Sequence, residues 1–354
     1  MSTETLQPRQ PKGVPVGGQF GAKAHTESGI SLGTEPVEDQ APERSFADAA
    51  EVFTKKYDSV DDKVAAFKAE LDKAVADLDQ DENWLAFCQT AAKFHRYSPT
   101  NQLLIQLQTG GRATRVAGFR KWQNDFNRNV IKGEKAISIL APRVINVTEK
   151  DAAGKPKKGP DGKPLKRRIL TGFTTASVFD VSQTDGDPLP EIDRELSETP
   201  PEGFVADMVA AADKAGYQVE FRKMDSHASG TPQGWTDPHG KMIVVDASLS
   251  EGSQAATLAH ELGHVHAGHC EPDALGKYHV GADGCRGRME VEAESVAYVL
   301  TRSNGMSMSS GKLSAQYVAG WSRHDAAALK ESADTVSKAV KSILESSDFR
   351  NAED

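Results

Sequence analysis

Residues 258–270 read LAHELGHVHAGHC and crowd four histidines, a glutamate and a cysteine into one short stretch. Imidazole, carboxylate and thiolate are the side chains that hold transition metals. His260 and His264 stand four apart, so on a helix both rings lie on one face, about one turn apart. Glu261 is offset from that face. It can reach a water beside an ion without binding the ion, and so act as general base for hydrolysis. His266 falls off the face of the pair, which suits a surface or packing residue. HELGH is therefore a candidate hydrolytic metal centre that still lacks a third ligand.

Two sources for that ligand compete. In the pattern HExxHxxGxxH a third histidine follows six residues after the second. Here that position is Cys270, the glycine position holds Ala267, and Gly268 comes one place late. The alternative is a carboxylate on a later helix, RMEVEAESVAYVLTRS (288–303). Glu290 and Glu294 share a face at i and i+4, and Glu292 points to the opposite side. We expect Glu290 as the ligand and Glu294 as the acid that orients a ligand histidine, with the two roles open to exchange. Two histidines and a carboxylate favour Zn2+, and Mn2+ or Fe2+ also suit that donor set.

The elements that must carry these residues follow from pattern. Helix FVADMVAAADKAGY (204–217) leads to strand QVEFRK, and a turn at DPHG (237–240) feeds strand KMIVVDA. The HELGH helix opens near Ser250 or Ser253. A loop of about 270–287 joins it to the Glu290 helix, and two more helical stretches close the chain. Upstream, helices are expected over 59–78, with Ser59 or Asp61 as N-cap, over 83–98, and over 98–108, with Ser98 capping and Pro99 in the first turn. A short helical piece, a Lys-Gly turn and strand AISILAP follow within 116–147. A charged hairpin loop spans 149–167, and a returning strand pair spans 168–184. The fold class is α+β in two domains, 46–185 and 204–354, joined by an acidic, Pro-rich linker at 186–203. Residues 1–45 are too poor in large apolar groups to offset ordering entropy and are expected to be disordered.

The chain of 354 residues carries a net charge of −9, yet its charge is unevenly spread. Residues 96–168 hold 17 Lys/Arg against 5 Asp/Glu, a local net of +12 that leaves −21 elsewhere. Such asymmetry fits a polyanion facing one part of the chain. Arg112, Arg115, Arg120, Lys121, Lys132 and Lys135 are the candidate phosphate contacts. Trp122 and Phe119 are candidate stacking platforms for bases, against core packing as the simpler role, more so for Phe119. No apolar run is long enough to span a membrane, and MSTETLQPRQPKG lacks the apolar core of a secretory signal. Three cysteines, Cys88, Cys270 and Cys285, argue for a reducing compartment. A cytoplasmic location is expected.

Two resemblances bear on these readings. HELGH followed by EVEAESVAYVL (290–300) and YVAGW (317–321) resembles the ImmA/IrrE-like and polyvalent-protein zincin peptidases of mobile elements. SPTNQLLI (98–105), FRKWQ (119–123), VIKGEKAISILAP (130–142) and VFDVSQT (178–184) resemble the N-terminal domain of ArdC-type antirestriction proteins. RQPKGVPVGGQF (9–20) resembles a short tag of phage- and plasmid-type proteins. Together these imply an antirestriction or establishment protein of a phage or plasmid. It would pair single-stranded DNA binding with a zincin-like metallopeptidase site acting on an unidentified protein substrate or host defence factor. Two alternatives stand beside this: a DNA-binding antirestriction protein whose metal site is structural, and a virion-packaged accessory protein.

Overall fold

The computed structural model of the protein describes residues 47–150, 155–159, 162–189, 198–224, 233–278, 286–307 and 325–346. The N-terminal tail with its tag, Cys285, YVAGW, part of the expected linker and the first of the two C-terminal helical stretches lie outside these residues. The chain divides into two compact units. Among the described residues, one comprises those within 47–189 with 325–337, and the other those within 198–307 with 338–346.

The first unit opens with helices α1 (Ala47–Thr54), α2 (Val60–Ala76), α3 (Asp81–Lys93) and α4 (Pro99–Thr109). Ser59 begins α2 by accepting from the Asp62 amide at 3.0 Å. Val64, Phe67, Leu71 and Val75 then fall on one buried stripe. Ser98 caps α4, with Pro99 in the first turn, where a missing N–H costs nothing. Beyond come β1 (Val116–Gly118), α5 (Phe119–Asn124), β2 (Arg128–Val130), β3 (Ile137–Thr148), β4 (Lys166–Asp180) and β5 (Thr184–Gly186). β3 and β4 form one long antiparallel ribbon, with β1 on the far side of β4, and β2 pairs β5 in a separate ribbon. The returning strand pair expected over 168–184 is instead one long strand and a short one in another sheet. Asp180 explains the break. Its carboxylate accepts from the amides of Thr114, Arg115 and Ser182, and its own amide donates to Gln183.

β3 lies at the edge of its sheet, and α4 covers the first part of that edge. The Asn101 amide donates to Leu140 O (3.0 Å) and accepts from Leu140 N (2.9 Å). Gln108, two turns later, does the same for Ser138 at 2.8 Å in both directions. Each side-chain amide mimics a neighbouring peptide, so two helix residues replace a strand.

In the second unit α6 (Phe204–Lys214) precedes a three-stranded sheet of order β6-β8-β7, from β6 (Gln218–Arg222), β7 (Gly234–Asp237) and β8 (Met242–Asp246). β6 runs parallel to β8 and β7 antiparallel to it. Central β8 is an almost unbroken buried apolar run, as a strand covered on both faces requires. α7 (Glu251–His266), α8 (Pro272–Leu275) and α9 (Arg286–Ser303) follow, and α10 (Ala326–Ser346) begins in the first unit and ends in the second. α7 and α9 pack so closely that a β-carbon on Gly263 would lie 2.8 Å from Ala293 O and 3.0 Å from Ala293 Cα.

Removing the α4 edge cover should be costly, because it strands two backbone groups at once. Asn101→Leu is expected to destabilise the first unit by about 1–3 kcal/mol, read from its urea-unfolding transition. A midpoint equal to wild type would contradict the edge role of Asn101.

Candidate functional site

α7 is apolar on nearly every side, with Ala255, Leu258, Ala259 and Leu262 buried, so the polar residues of HELGH are carried into the interior. His260, Glu261 and His264 are all buried. The two ring Nε2 atoms face one another at 3.2 Å, and Glu290 Oε2 on α9 lies 3.6 Å from each. Donors in a tetrahedral site with bonds near 2.0–2.1 Å stand about 3.3–3.4 Å apart, so this triangle has the size of one face of such a site. Glu290 Oε2 is buried and has no hydrogen-bond partner, which a carboxylate oxygen tolerates when a cation completes it. Glu290 Oε1 is held separately, by the hydroxyl of Tyr278. These three side chains are the group able to hold a metal among the described residues, and they fit a divalent ion.

The surroundings fix how the ligands point. His260 Nδ1 lies 3.1 Å from Glu294 Oε2, which directs its Nε2 lone pair into the triangle. His264 Nδ1 lies 3.0 Å from His269 Nδ1, and His269 Nε2 lies 2.8 Å from Glu292 Oε2. Arg288 Nε donates to Glu292 Oε1 at 2.7 Å. The hydroxyl of Thr236 on β7 donates to Glu261 Oε2 at 2.6 Å.

Several expectations need correction. Glu292 does not face away from the centre. It is buried and reaches the site through His269. The late glycine does not spoil the turn after α7. Gly268 takes φ +80°, its amide bonds Val265 O, and the His269 amide bonds His264 O. This is a glycine-closed helix end, and it folds His269 back onto His264. Cys270 is buried apart from the triangle, and burial pushes its thiol up to about 11. His266 meets Ser342 and takes no part in the cluster. Thr236 and Tyr278 escaped sequence reasoning, because no spacing pattern marks them.

In the basic unit Arg112, Arg120, Lys121, Lys132 and Lys135 are exposed. Arg115 is only half-exposed, with one guanidinium nitrogen buried and unpartnered, and burial lowers its pKa. Trp122 is fully buried and its ring N–H donates to Phe179 O at 2.9 Å, so it is core and cannot stack on a base. Phe119 is the reverse of the expected core residue. It is 51% exposed, with its ring edge against Phe179.

Comparison with known proteins was decided by two family models. Residues 55–179 match the N-terminal domain of anti-restriction factor ArdC, and residues 212–300 match the IrrE N-terminal-like domain, a peptidase family. The chain thus pairs a segment like the ArdC N-terminal domain with an IrrE-like one. Among solved structures it is similar to the metal-free antirestriction protein ArdC of plasmid R388 at 20% identity, over 70% of this chain and 83% of that one, with a TM-score of 0.43. The Mn(II)-bound form of that protein matches at 22% identity, over 71% and 84%, with a TM-score of 0.41. No curated protein matches the chain. The ArdC-type segment thus contains the exposed cations, and the IrrE-like segment contains the triangle. No described helix is long and apolar enough to cross a membrane.

Burial alone would lower the pKa of His260. Its contacts with Glu290 and Glu294 outweigh that and raise it to about 10. Glu290 is correspondingly held well below the usual carboxylate range, against the effect of its own burial, by His260 and His264. A proton therefore takes the ion's place at neutral pH, and an entering ion must displace it. Apparent metal affinity should rise with pH by about tenfold per unit for each proton displaced, between about pH 6 and 8. Chelator-competition titrations across that range check this, and a flat profile would refute it.

Proposed function

We propose that this is a mobile-element antirestriction protein whose ArdC-type unit binds single-stranded DNA and whose IrrE-like unit is a zinc-dependent peptidase. The observation that carries the peptidase reading is the triangle of His260, His264 and Glu290 with an intact Glu261 beside it on α7. Those three residues would hold the ion. Zn2+ suits the donor set best, with Mn2+ or Fe2+ as substitutes. A bound ion supplies a lowered pKa for water and polarises a peptide carbonyl.

Glu261 is the general base. Its carboxylate takes a proton from the attacking water as the new C–O bond forms, and returns it to the amine nitrogen as the C–N bond breaks. Thr236 occupies one oxygen of Glu261 and so fixes the carboxylate while leaving the other for water. Glu294 keeps the His260 proton on Nδ1. β7, the strand that carries Thr236, is an edge strand, so an extended peptide added to it would run past Glu261. The substrate is an unidentified protein, with a host defence factor as the expected class.

For DNA, the exposed cations Arg112, Arg120, Lys121, Lys132 and Lys135 would follow phosphates. Phe119, next to Arg120 on α5, offers the ring on which a base can stack.

Glu261→Gln should abolish peptide hydrolysis while leaving the metal content at one ion per chain. An unchanged antirestriction activity in that variant would favour a structural metal and sink the peptidase reading. Arg120→Ala with Lys121→Ala should weaken single-stranded DNA binding and flatten its dependence on log salt by roughly 0.7 for each phosphate no longer neutralised. An unaltered slope in a filter-binding titration would remove these two residues from the interface.

A further inference from the structure

We propose that His269 is a positioning residue for His264, and that Glu292 and Arg288 set it by a relay that fixes the proton on each ring in turn. The proposal rests on the metal-site reading above.

The relay is fixed from its far end inward. Arg288 can only donate, and its Nε does so to Glu292 Oε1. Glu292, paired in this way, is a carboxylate and can only accept, so the proton between Glu292 Oε2 and His269 Nε2 belongs to His269. With its proton on Nε2, neutral His269 presents a lone pair at Nδ1. The 3.0 Å contact between the two Nδ1 atoms needs one donor and one acceptor, so His264 carries its proton on Nδ1. His264 Nε2 is then a bare lone pair, and it is the atom that faces His260 Nε2 and Glu290 Oε2. Each step is forced by the one before, with no ion required.

The two histidines of the triangle are thus oriented by different devices from one helix. Glu294 acts on His260 directly. Glu292 acts on His264 at one remove, because His264 lies a turn further along α7 and His269 fills the gap. Along α9, Glu290 and Glu294 form one i, i+4 pair, and Arg288 and Glu292 form another. The first pair supplies a ligand and an orienting acid. The second pair serves the relay. The helix end places the intermediary. With Gly268 at φ +80°, the same residue that bonds the His264 carbonyl through its amide also meets the His264 ring through its own.

The test uses the full chain. Zn2+ affinity is measured by chelator competition for wild type, His269→Leu, His269→Asn and Glu292→Gln. The His264 tautomer is read in the metal-free chain by nitrogen-15 NMR, its signal assigned by absence in a His264→Gln variant. His269→Leu removes the acceptor and is expected to lose about 10–100-fold in affinity. Asparagine keeps an oxygen near the place of Nδ1, so His269→Asn should stay within about threefold of wild type. Glu292→Gln should mix the tautomers of His264. Equal losses in the Leu and Asn variants would mean that packing, not the acceptor, matters, and would overturn the proposal. So would a His264 ring with its proton on Nε2 in the metal-free wild type. A wild-type chain that binds no Zn2+ would defeat the metal-site reading, and the tautomer measurement would still decide the relay.

Discussion

The backbone contact between Gly263 and Ala293 is the constraint on which the second unit depends. Gly263 lies between His260 and His264 in the sequence order of the motif, and Ala293 lies between Glu290 and Glu294. Because neither helix has bulk at the crossing, α9 approaches to a distance that a single β-carbon would violate. Short polar side chains then span the gap in pairs. Glu290 reaches two imidazoles, Glu294 reaches one, and Glu292 reaches a third through the helix end. A wider crossing would leave these groups as separate buried charges, each costly to desolvate. Close approach turns the same groups into one mutually satisfied cluster.

What the sequence disclosed follows from how local each relation is. The 3.6-residue period put His260 beside His264 and Glu290 beside Glu294, and the structure carries both pairs to one place. The period also separated Glu292 from them, correctly as an angle and wrongly as a role. That error came from treating the end of α7 as a broken version of another motif. His269 returns to His264 only because Gly268 reverses the chain, and a one-residue offset hides this in a linear reading. Thr236 and Tyr278 lie on a four-residue strand and in a loop, where no periodicity exists to read. In the other unit, the 59–78 stretch disclosed its buried stripe because four apolar residues repeat on one face. Trp122 and Phe119 are three apart on a helix of only two turns, too short for a moment to tell which ring faces inward.

The segments that carry the likeness to the ArdC N-terminal domain turn out to be mostly scaffold. FRKWQ buries Trp122, whose indole is tied to Phe179 within VFDVSQT. Asp180 of that second segment gathers the amides of Thr114 and Arg115, and the Gln183 side chain donates to Lys135 O. SPTNQLLI supplies Asn101 to the edge of β3. These residues are distinctive because each satisfies a specific buried backbone group, a demand that few substitutions meet. The exposed cations between them answer to a looser demand, since a phosphate chain accepts a charge from many directions.

The two three-stranded sheets treat their edges in opposite ways, and this has a consequence for how the protein behaves in company. An uncapped strand edge invites any extended chain to pair with it, including another copy caught during synthesis. Along the first part of β3 the carboxamides of Asn101 and Gln108 occupy the outward N–H and C=O groups, so that stretch offers no template. β7 has no comparable guard among the described residues, but it is only four residues long. An edge that short can register a brief stretch of extended chain and is too small to seed a growing stack. Brevity on one strand and amide mimicry on the other are two solutions to the same hazard of unwanted self-association.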